Sequence, residues 1–369
     1  MYETANAHPQ RVGGWGLFQL DDDAIVIARD PRRIIIRAQP EAGLTPQAVR
    51  DLFDLLDGSR SVDGVVDAIQ DVHPKVSPTA VRQLVRKLGD QRVLVDAQVP
   101  VPEGLSLDDL ASYRRHLAYY ADFETEQRSR FDIHLAVKRS RVLLVGLGGA
   151  GSMMAASLVS SGVRRLVGVD GDAVERDNLH RQLFYTADDI DRPKAEALKE
   201  RLEQRAPDLE FTAVPRYLMS AGELEELLDD VDLVIHVADY PPRGSRLETT
   251  RACVRRRVPL LMFFNACAGP LCVPGKTACY RCYERASARV HPRYGGVSDQ
   301  VDLHYPYTSR TMPGLNLLMC GLATWEAVSF LAGTETPATL NGMISVDAPS
   351  GEARRAPLQR DPDCDVCGD

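Results

Sequence analysis

The sequence predicts a mixed α/β protein in which a small α+β domain precedes a doubly wound parallel sheet. Three observations carry this expectation. Between residues 141 and 237, short apolar runs alternate with longer stretches of helical spacing, the pattern of a sheet covered by helices on both faces. One of those runs opens into a glycine cluster, Gly146–Gly151. The first hundred residues differ in texture, with β-rich runs followed by three short amphipathic segments.

Composition narrows the class. A chain of 369 residues fits two or three domains, at roughly 150 residues each. Its 44% hydrophobic and 26% charged content is globular, neither fibrous nor disordered. With 52 acidic against 44 basic side chains, a net charge of -8 argues against nucleic acid as the main partner. No run of about eighteen apolar residues stands out, so no membrane span is expected. The opening Met-Tyr-Glu-Thr-Ala-Asn has neither the basic nor the apolar region of a secretory signal. Eight cysteines are too few for a disulfide framework, and four of them form two CxxC pairs, which suggests metal chemistry in a reducing cytoplasm.

In the N-terminal part, Ala24–Ala28 and Arg33–Arg37 read as strands separated by the turn signal Asp30-Pro31-Arg32. Thr45-Pro46 opens a helix with Val49, Leu52, Phe53 and Leu56 at spacings of three and four. A second helix is expected over Val62–Gln70. A third runs from a Ser77 cap through Val81, Leu84, Val85 and Leu88, and Arg92–Val95 closes as a strand. Together these make a winged-helix-like unit, bounded by the Pro-rich junction Gln98–Gly104, which divides the chain into domains 1–108 and 109–369. Residues 20–98, above all Leu55–Ile69, resemble the PqqD-like leader-recognition domains of ribosomal peptide pathways. That resemblance implies peptide binding. A helix-turn-helix accessory domain without a peptide ligand is the alternative.

In the C-terminal part, strands are expected at Arg141–Val145, Arg165–Val169, Glu210–Pro215 and Val231–Val237, with helices at Gly151–Ser161 and Pro193–Arg205. Gly146, Gly148, Gly149 and Gly151 allow a tight turn and close backbone approach to phosphate oxygens at a helix N-terminus. Asp170, about twenty residues on, ends the next strand where a carboxylate can accept from ribose hydroxyls. A nicotinamide dehydrogenase would show the same fingerprint, and so would a glycine turn kept for packing. The following segment separates them. Asp172, Asn178, Arg181, Gln182 and Lys194 add cations and amides that a diphosphate cofactor has little use for and a triphosphate needs. On one helical turn, Asn178, Arg181 and Gln182 would face one direction.

At this point the motifs GLGGAG, VDGDAVERDNLHRQ and DRPKA resemble those of the ThiF/MoeB-type adenylyltransferases, bacterial relatives of ubiquitin-activating enzymes. The similarity runs from Tyr113 to about Leu331. It implies a Rossmann-like fold that binds ATP and Mg2+ and joins a carboxylate to AMP with release of pyrophosphate. Gly148 and Gly149 would cradle phosphates and Asp170 hold the ribose. Asn178, Arg181 and Gln182 would bind the phosphate and sugar region, and Lys194 would reach the reacting phosphates. Asp239, ending the Val231–Val237 run, would organise magnesium, although Asp239-Tyr240-Pro241-Pro242 replaces the usual Asp-Asn. Asp172 is a secondary phosphate- or metal-side candidate. Ser112–Leu117 resembles the family's Arg-Tyr-x-Arg-Gln-Leu helix, which makes Arg115 a finger reaching the ATP of a partner subunit in a homodimer. Ser112 and His116 depart from that motif.

The chemistry suits these groups. A carboxylate resists nucleophilic attack until its oxygen becomes a leaving group, and adenylation does that. Charge then accumulates on phosphate oxygens, which positioning and counter-charge stabilise. No general base is needed, since a carboxylate with a pKa of about 4 is already ionised.

Cys279, Cys282, Cys364 and Cys367 form two CxxC knuckles, together a closed four-thiolate site for a structural zinc that would staple the C-terminal tail. Cys253, Cys267, Cys272 and Cys320 read as small buried hydrophobes; among them Cys267 is the first candidate if a covalent step exists. Arg289–Pro313 lacks periodicity and corresponds in the family to a crossover loop over the substrate tail. Leu315–Leu331 is an apolar helix for core or dimer packing, its membrane reading opposed by Asn316, Glu326 and its length. The expected function is ATP-dependent adenylylation of a carboxylate on a ribosomally made precursor peptide, with a possible downstream modifying enzyme. Activation of a sulfur-carrier or ubiquitin-like C-terminus, or an inactive leader-binding scaffold, are the alternatives.

Overall fold

The computed structural model describes residues 7–29, 31–239, 242–264, 267–290, 312–347 and 349–368. The chain divides into two compact units, Met1–Leu135 and Ala136–Asp369. This division falls beyond the Pro-rich junction, so residues 109–135 belong with the first unit.

In the first unit, β1 (Pro9–Arg11) precedes an antiparallel meander of β2 (Gly16–Asp21), β3 (Ala24–Arg29) and β4 (Arg32–Arg37). Three helices follow, α1 (Pro46–Leu55), α2 (Val62–Val72) and α3 (Pro78–Asp90), and then β5 (Leu94–Asp96), which pairs with β1. Local chemistry sets the helix starts. The Thr45 and Ser61 hydroxyls accept from the amides of Ala48 and Gly64, and Pro46 and Pro78 occupy first-turn positions whose N–H would have no partner. Leu52, Val65, Ile69, Val81, Val85 and Leu88 line one core with Ile25 and Ile27 of β3. Next come α4 (Leu107–Ser112), closed by a Ser106–Asp109 capping box, and α5 (Arg114–Tyr120); α6 (Arg130–Arg139) spans the division.

The second unit is an eight-stranded sheet. Along the chain it comprises β6 (Arg141–Val145), α7 (Gly149–Ser160), β7 (Arg165–Val169), α8 (Lys194–Arg205), β8 (Glu210–Val214), α9 (Ala221–Glu225), β9 (Leu233–His236), α10 (Pro242–Arg256) and β10 (Leu260–Phe264). Then follow β11 (Cys267–Cys272), α11 (Tyr280–Val290), α12 (Pro313–Ala332), β12 (Gly342–Asp347) and β13 (Glu352–Pro357). The spatial order is β13-β12-β11-β10-β9-β6-β7-β8, in which β10 through β8 are parallel and β11 to β13 add an antiparallel edge. This is the expected Rossmann-like sheet, with its topological switch beside β6, between β7 and β9. Ligands bind such sheets at the carboxyl ends of the strands flanking the switch.

The twenty-residue α12 is long and apolar enough to cross a bilayer, so the expected exclusion on grounds of length does not hold. Its surroundings place it in the protein core. Half of it is buried, it packs along α7, and Cys320 Sγ lies 3.6 Å from the Ala150 carbonyl. Buried Glu326 accepts from both the amide and the hydroxyl of Thr339 at 2.7 Å.

The turn from β6 into α7 tolerates no side chain at two points. Gly146 has φ 96°, and a Cβ there would meet the Ala238 backbone at 2.8 Å. A Cβ on Gly151 would overlap the Gly146 carbonyl oxygen. Gly151→Ala is expected to destabilise the chain by about 1–3 kcal/mol and to open this turn. Gly222→Ala, where a Cβ meets nothing within 4 Å, should leave the melting curve nearly unchanged, and thermal denaturation of the two variants checks the contrast.

Candidate active site at the carboxyl ends of the central strands

The sheet brings three chain segments to the glycine turn. After β6, Leu147 donates its amide to Asp170 Oδ2 at 2.6 Å. After β7, Asp172 donates its amide to Asp170 Oδ1 at 2.8 Å. Asp170 therefore ties the ends of both strands together. Burial pushes its carboxyl above the usual range, against the pull of Lys194 and the two amides. After β9, Ala238 lies against Gly146, and Asp239 follows it at the mouth of the crevice.

Lys194 begins α8. Its side chain is 6% exposed, and its Nζ donates to Asp172 Oδ2 at 2.6 Å. The Lys194 amide donates to the Asp172 carbonyl at 2.9 Å, so the two residues are joined by backbone and side chain alike. Burial alone would raise the Asp172 carboxyl, but hydrogen bonds from Lys194 and the Tyr217 hydroxyl hold it below its ordinary value. Asp172 is thus the anchor of Lys194.

The segment carrying Asn178, Arg181 and Gln182 is a short 3-10 turn at Arg176–Asn178 followed by two further turn bonds, and the three side chains serve different ends. Asn178 is buried; its Oδ1 accepts from the Glu175 amide, and its Nδ2 donates to the Asp177 carboxylate at 2.8 Å. Arg181 donates to the Asp177 carbonyl at 2.8 Å, and its charge still acts on Asp239. Gln182 is 3% exposed, and its Oε1 is buried without a hydrogen-bond partner among the described residues. Its Nε2 lies 3.6 Å from where a Gly148 side chain would begin, and the corresponding point on Gly149 is 3.7 Å from the Arg181 carbonyl. Gln182 and Arg181 therefore approach the glycine loop itself. Gly148 caps α7, and its carbonyl accepts from both the amide and the hydroxyl of Ser152.

Burial raises the Asp239 carboxyl, opposed by Arg246 and then Arg181. With Asp172 committed to Lys194, Asp239 could hold Mg2+, which takes one or two carboxylates and otherwise keeps water and phosphate oxygens. Neighbouring His236 has its pKa lowered to about 3, by burial and then by Arg246, so it is a neutral partner of the Ser245 hydroxyl at 2.9 Å. Cys267 is half-buried, and burial raises its thiol to about 11, which leaves little thiolate for attack.

Arg115 lies in the first unit, exposed on α5, where it borders a cavity of about 370 Å3 with Arg29, Arg32, Tyr119 and Asp122. Most of the expected crossover loop, residues 291–311, lies outside the described residues. Sequence reasoning missed four positions. They are Tyr217 on Asp172; Tyr185, whose hydroxyl donates to the Leu147 carbonyl at 2.7 Å; Asn316, whose Nδ2 lies 3.0 Å from the point a Gly149 side chain would occupy; and Arg246 beside Asp239. Nothing in local spacing marks them, because each acts on a residue distant in sequence or falls outside the motifs.

Elsewhere in the second unit, the Sγ atoms of Cys279, Cys282, Cys364 and Cys367 lie within 4.8 Å of one another, all buried. Adjacent pairs are 3.8, 3.8 and 3.4 Å apart. A tetrahedral zinc with Zn–S bonds of about 2.3 Å needs sulfurs about 3.8 Å apart, so the cluster fits a closed structural site. The Asp361 amide points to Cys282 Sγ at 3.4 Å, and Arg285 and Arg289 both hold the Asp361 carboxylate, a second layer that fixes the knuckle.

Comparison with known proteins agrees with this geometry. Residues 113–366 match the ThiF family. The sulfur carrier protein ThiS adenylyltransferase of Escherichia coli is 33% identical over 235 residues, covering 62% of this chain and 86% of that protein. The molybdopterin-synthase adenylyltransferase of the same organism is 29% identical over 247 residues, covering 64% and 91%. Among solved structures, E. coli MccB with AMPCPP and MccA superposes with a TM-score of 0.77 at 18% identity, over 98% of this chain and 99% of that one. The microcin C7 biosynthetic enzyme MccB in complex with N-formylated MccA gives the same score and coverage. A family match across most of the chain, on the sheet and glycine turn described above, leads to one conclusion: this chain belongs to the ThiF family of ATP-dependent adenylyltransferases.

Proposed function

We propose that this chain adenylylates a carboxylate of a ribosomally made precursor peptide and that its N-terminal unit recognises the leader of that peptide. One observation carries the choice of substrate. The sulfur-carrier and molybdopterin adenylyltransferases are themselves covered over 86% and 91% of their length, yet they account for only 62% and 64% of this chain. The MccB structures, some with the peptide MccA, match 98% of it, first unit included. A sulfur carrier with a Gly-Gly tail is the rival substrate, favoured by the 33% identity to the ThiS enzyme. An inactive scaffold does not fit membership of an enzyme family.

In this reading ATP lies with its phosphates over Gly146, Gly148, Gly149 and Gly151 at the N-terminus of α7, where free amides and the helix dipole favour negative charge. Asp170 takes the ribose hydroxyls on lone pairs its two amide bonds leave unused. Arg181 and Gln182 line the sugar–phosphate side, with Gln182 Oε1, which has no partner among the described residues, as an acceptor, while buried Asn178, expected to join them, holds the turn that carries both. Lys194 swings from Asp172 to the leaving phosphates. Asp239 would hold a magnesium ion, which supplies counter-charge to the phosphate oxygens. A substrate carboxylate oxygen then bonds to the α-phosphorus, the bond to the bridging oxygen breaks, and that electron pair leaves with pyrophosphate. Arg115 serves as the finger reaching the partner's nucleotide in a homodimer. A structural zinc sits on the four cysteines, and a downstream enzyme consumes the acyl-adenylate.

Pyrophosphate exchange tests the proposal. Exchange should depend on a precursor peptide encoded nearby; dependence on a Gly-Gly sulfur carrier instead would transfer the function to the rival substrate. Lys194→Ala and Arg181→Ala should each lower exchange by about 100-fold or more, as expected when a charge-stabilising donor is lost at about 3 kcal/mol, while peptide binding persists. Removal of residues 1–100 should weaken peptide binding sharply in a titration, and unchanged affinity would end the leader-recognition role. Atomic absorption should find one zinc per chain. Cys279→Ser should lose that zinc and lower the melting temperature, because metal binding contributes directly to folding.

A further inference from the structure

Arg246 is a costly residue for its position. Its side chain is only 15% exposed, and its guanidinium lies 5.1 Å from the centre of the Phe264 ring. A guanidinium carries five donor hydrogens, and a charge withdrawn from water is expensive unless those donors are met. Here they are barely used. Among the described residues, the acid paired with it, Asp239, has Oδ1 at 3.7 Å from Nη2, beyond hydrogen-bond reach, and Nε is enclosed without an acceptor.

Among the described residues, its other neighbours offer no acceptor. His236 is neutral and bonded to Ser245, Cys267 is a protonated thiol, and Arg181, the other cation acting on Asp239, is a like charge. The sheet order gives the direction. The glycine turn follows β6, Asp239 follows β9, and Phe264 and Cys267 mark the junction of β10 with β11. The phosphate groups assigned above belong on the β6 side of Asp239. Arg246 lies on the other side, where a second reactant must stand for its oxygen to reach the α-phosphorus.

We infer that Arg246 binds the carboxylate that is adenylylated, so that an anionic acyl substrate and not a further phosphate completes its hydrogen bonding. This rests on the adenylation reading above and names the group that orients its second substrate. One carboxylate oxygen accepts from the guanidinium while the other forms the new bond to the α-phosphorus, and pyrophosphate leaves with the electron pair of the broken bond. The guanidinium also offsets the repulsion between the carboxylate and the triphosphate. In the acyl-adenylate, the carbonyl oxygen stays on Arg246, and only the bridging oxygen has changed partner.

Two stable nucleotide analogues test this in the full chain without knowledge of the peptide. 5′-O-(N-glycylsulfamoyl)adenosine carries the acyl carbonyl that Arg246 should hold, and 5′-O-sulfamoyladenosine lacks it. Calorimetry on the wild type should show the acylated analogue bound about tenfold tighter or more, the ratio expected for a hydrogen bond from a charged donor. Arg246→Gln should bring that ratio close to one while the Kd for sulfamoyladenosine stays within about twofold of wild type, and Arg246→Lys should fall between. The inference is overturned if the wild type shows no preference, if Arg246→Gln keeps the preference, or if it weakens both analogues equally, which would make the guanidinium a prop for Asp239. A wild type that binds neither analogue would instead remove the adenylation reading itself.

Discussion

Everything at the crevice depends on how one carboxylate is used. Asp170 accepts from Leu147 after β6 and from Asp172 after β7, so a single side chain ties together the two segments that leave the strand ends at the glycine turn. That clasp extends the backbone pairing of β6 with β7, in which the Gly146 amide donates to the Val169 carbonyl at 2.8 Å. The glycines then let the backbone occupy the space the clasp leaves, with Gly151 folded onto the Gly146 carbonyl. Position comes from the acid and access from the missing side chains.

The electrostatics follow the same economy. Buried Lys194 and the half-exposed Asp172 neutralise each other, and Tyr217 takes the second oxygen of the acid. Enclosing the lysine costs desolvation, so the pair is weak evidence for stability, but it stores a cation where a polyanion can draw on it. Across the crevice, Asp239 is raised by burial, with Arg246 Nη2 3.7 Å from its Oδ1 and the charge of Arg181 also acting on it. One wall is paired and the other is poised.

How much of this was legible in the sequence varied with how local the signal was. The strands β6, β7 and β9 are near-continuous apolar runs, buried along almost their whole length, so their length and flanks announce them. The glycine turn and Asp170 were readable from spacing, because both lie on one strand–turn–helix path. The edge strands β12 and β13 were not. Every residue of β13 is exposed and three carry charge, so no apolar alternation marks it, and its conformation comes from pairing with β12. The expected shared face of Asn178, Arg181 and Gln182 took its form from the turn bonds onto the Asn178 carbonyl, which send Asn178 inward as a local cap. Tyr185 and Arg246 owe their roles to contacts that only the folded sheet creates.

The four-cysteine cluster joins points of the chain 85 positions apart. With a metal bound there, the stretch between the two knuckles, which includes α12, β12 and β13, is fastened at both ends independently of its own peptide bonds. A protease cutting once within that stretch would therefore yield two polypeptides that still migrate as one particle, parting only when a chelator is added along with the denaturant.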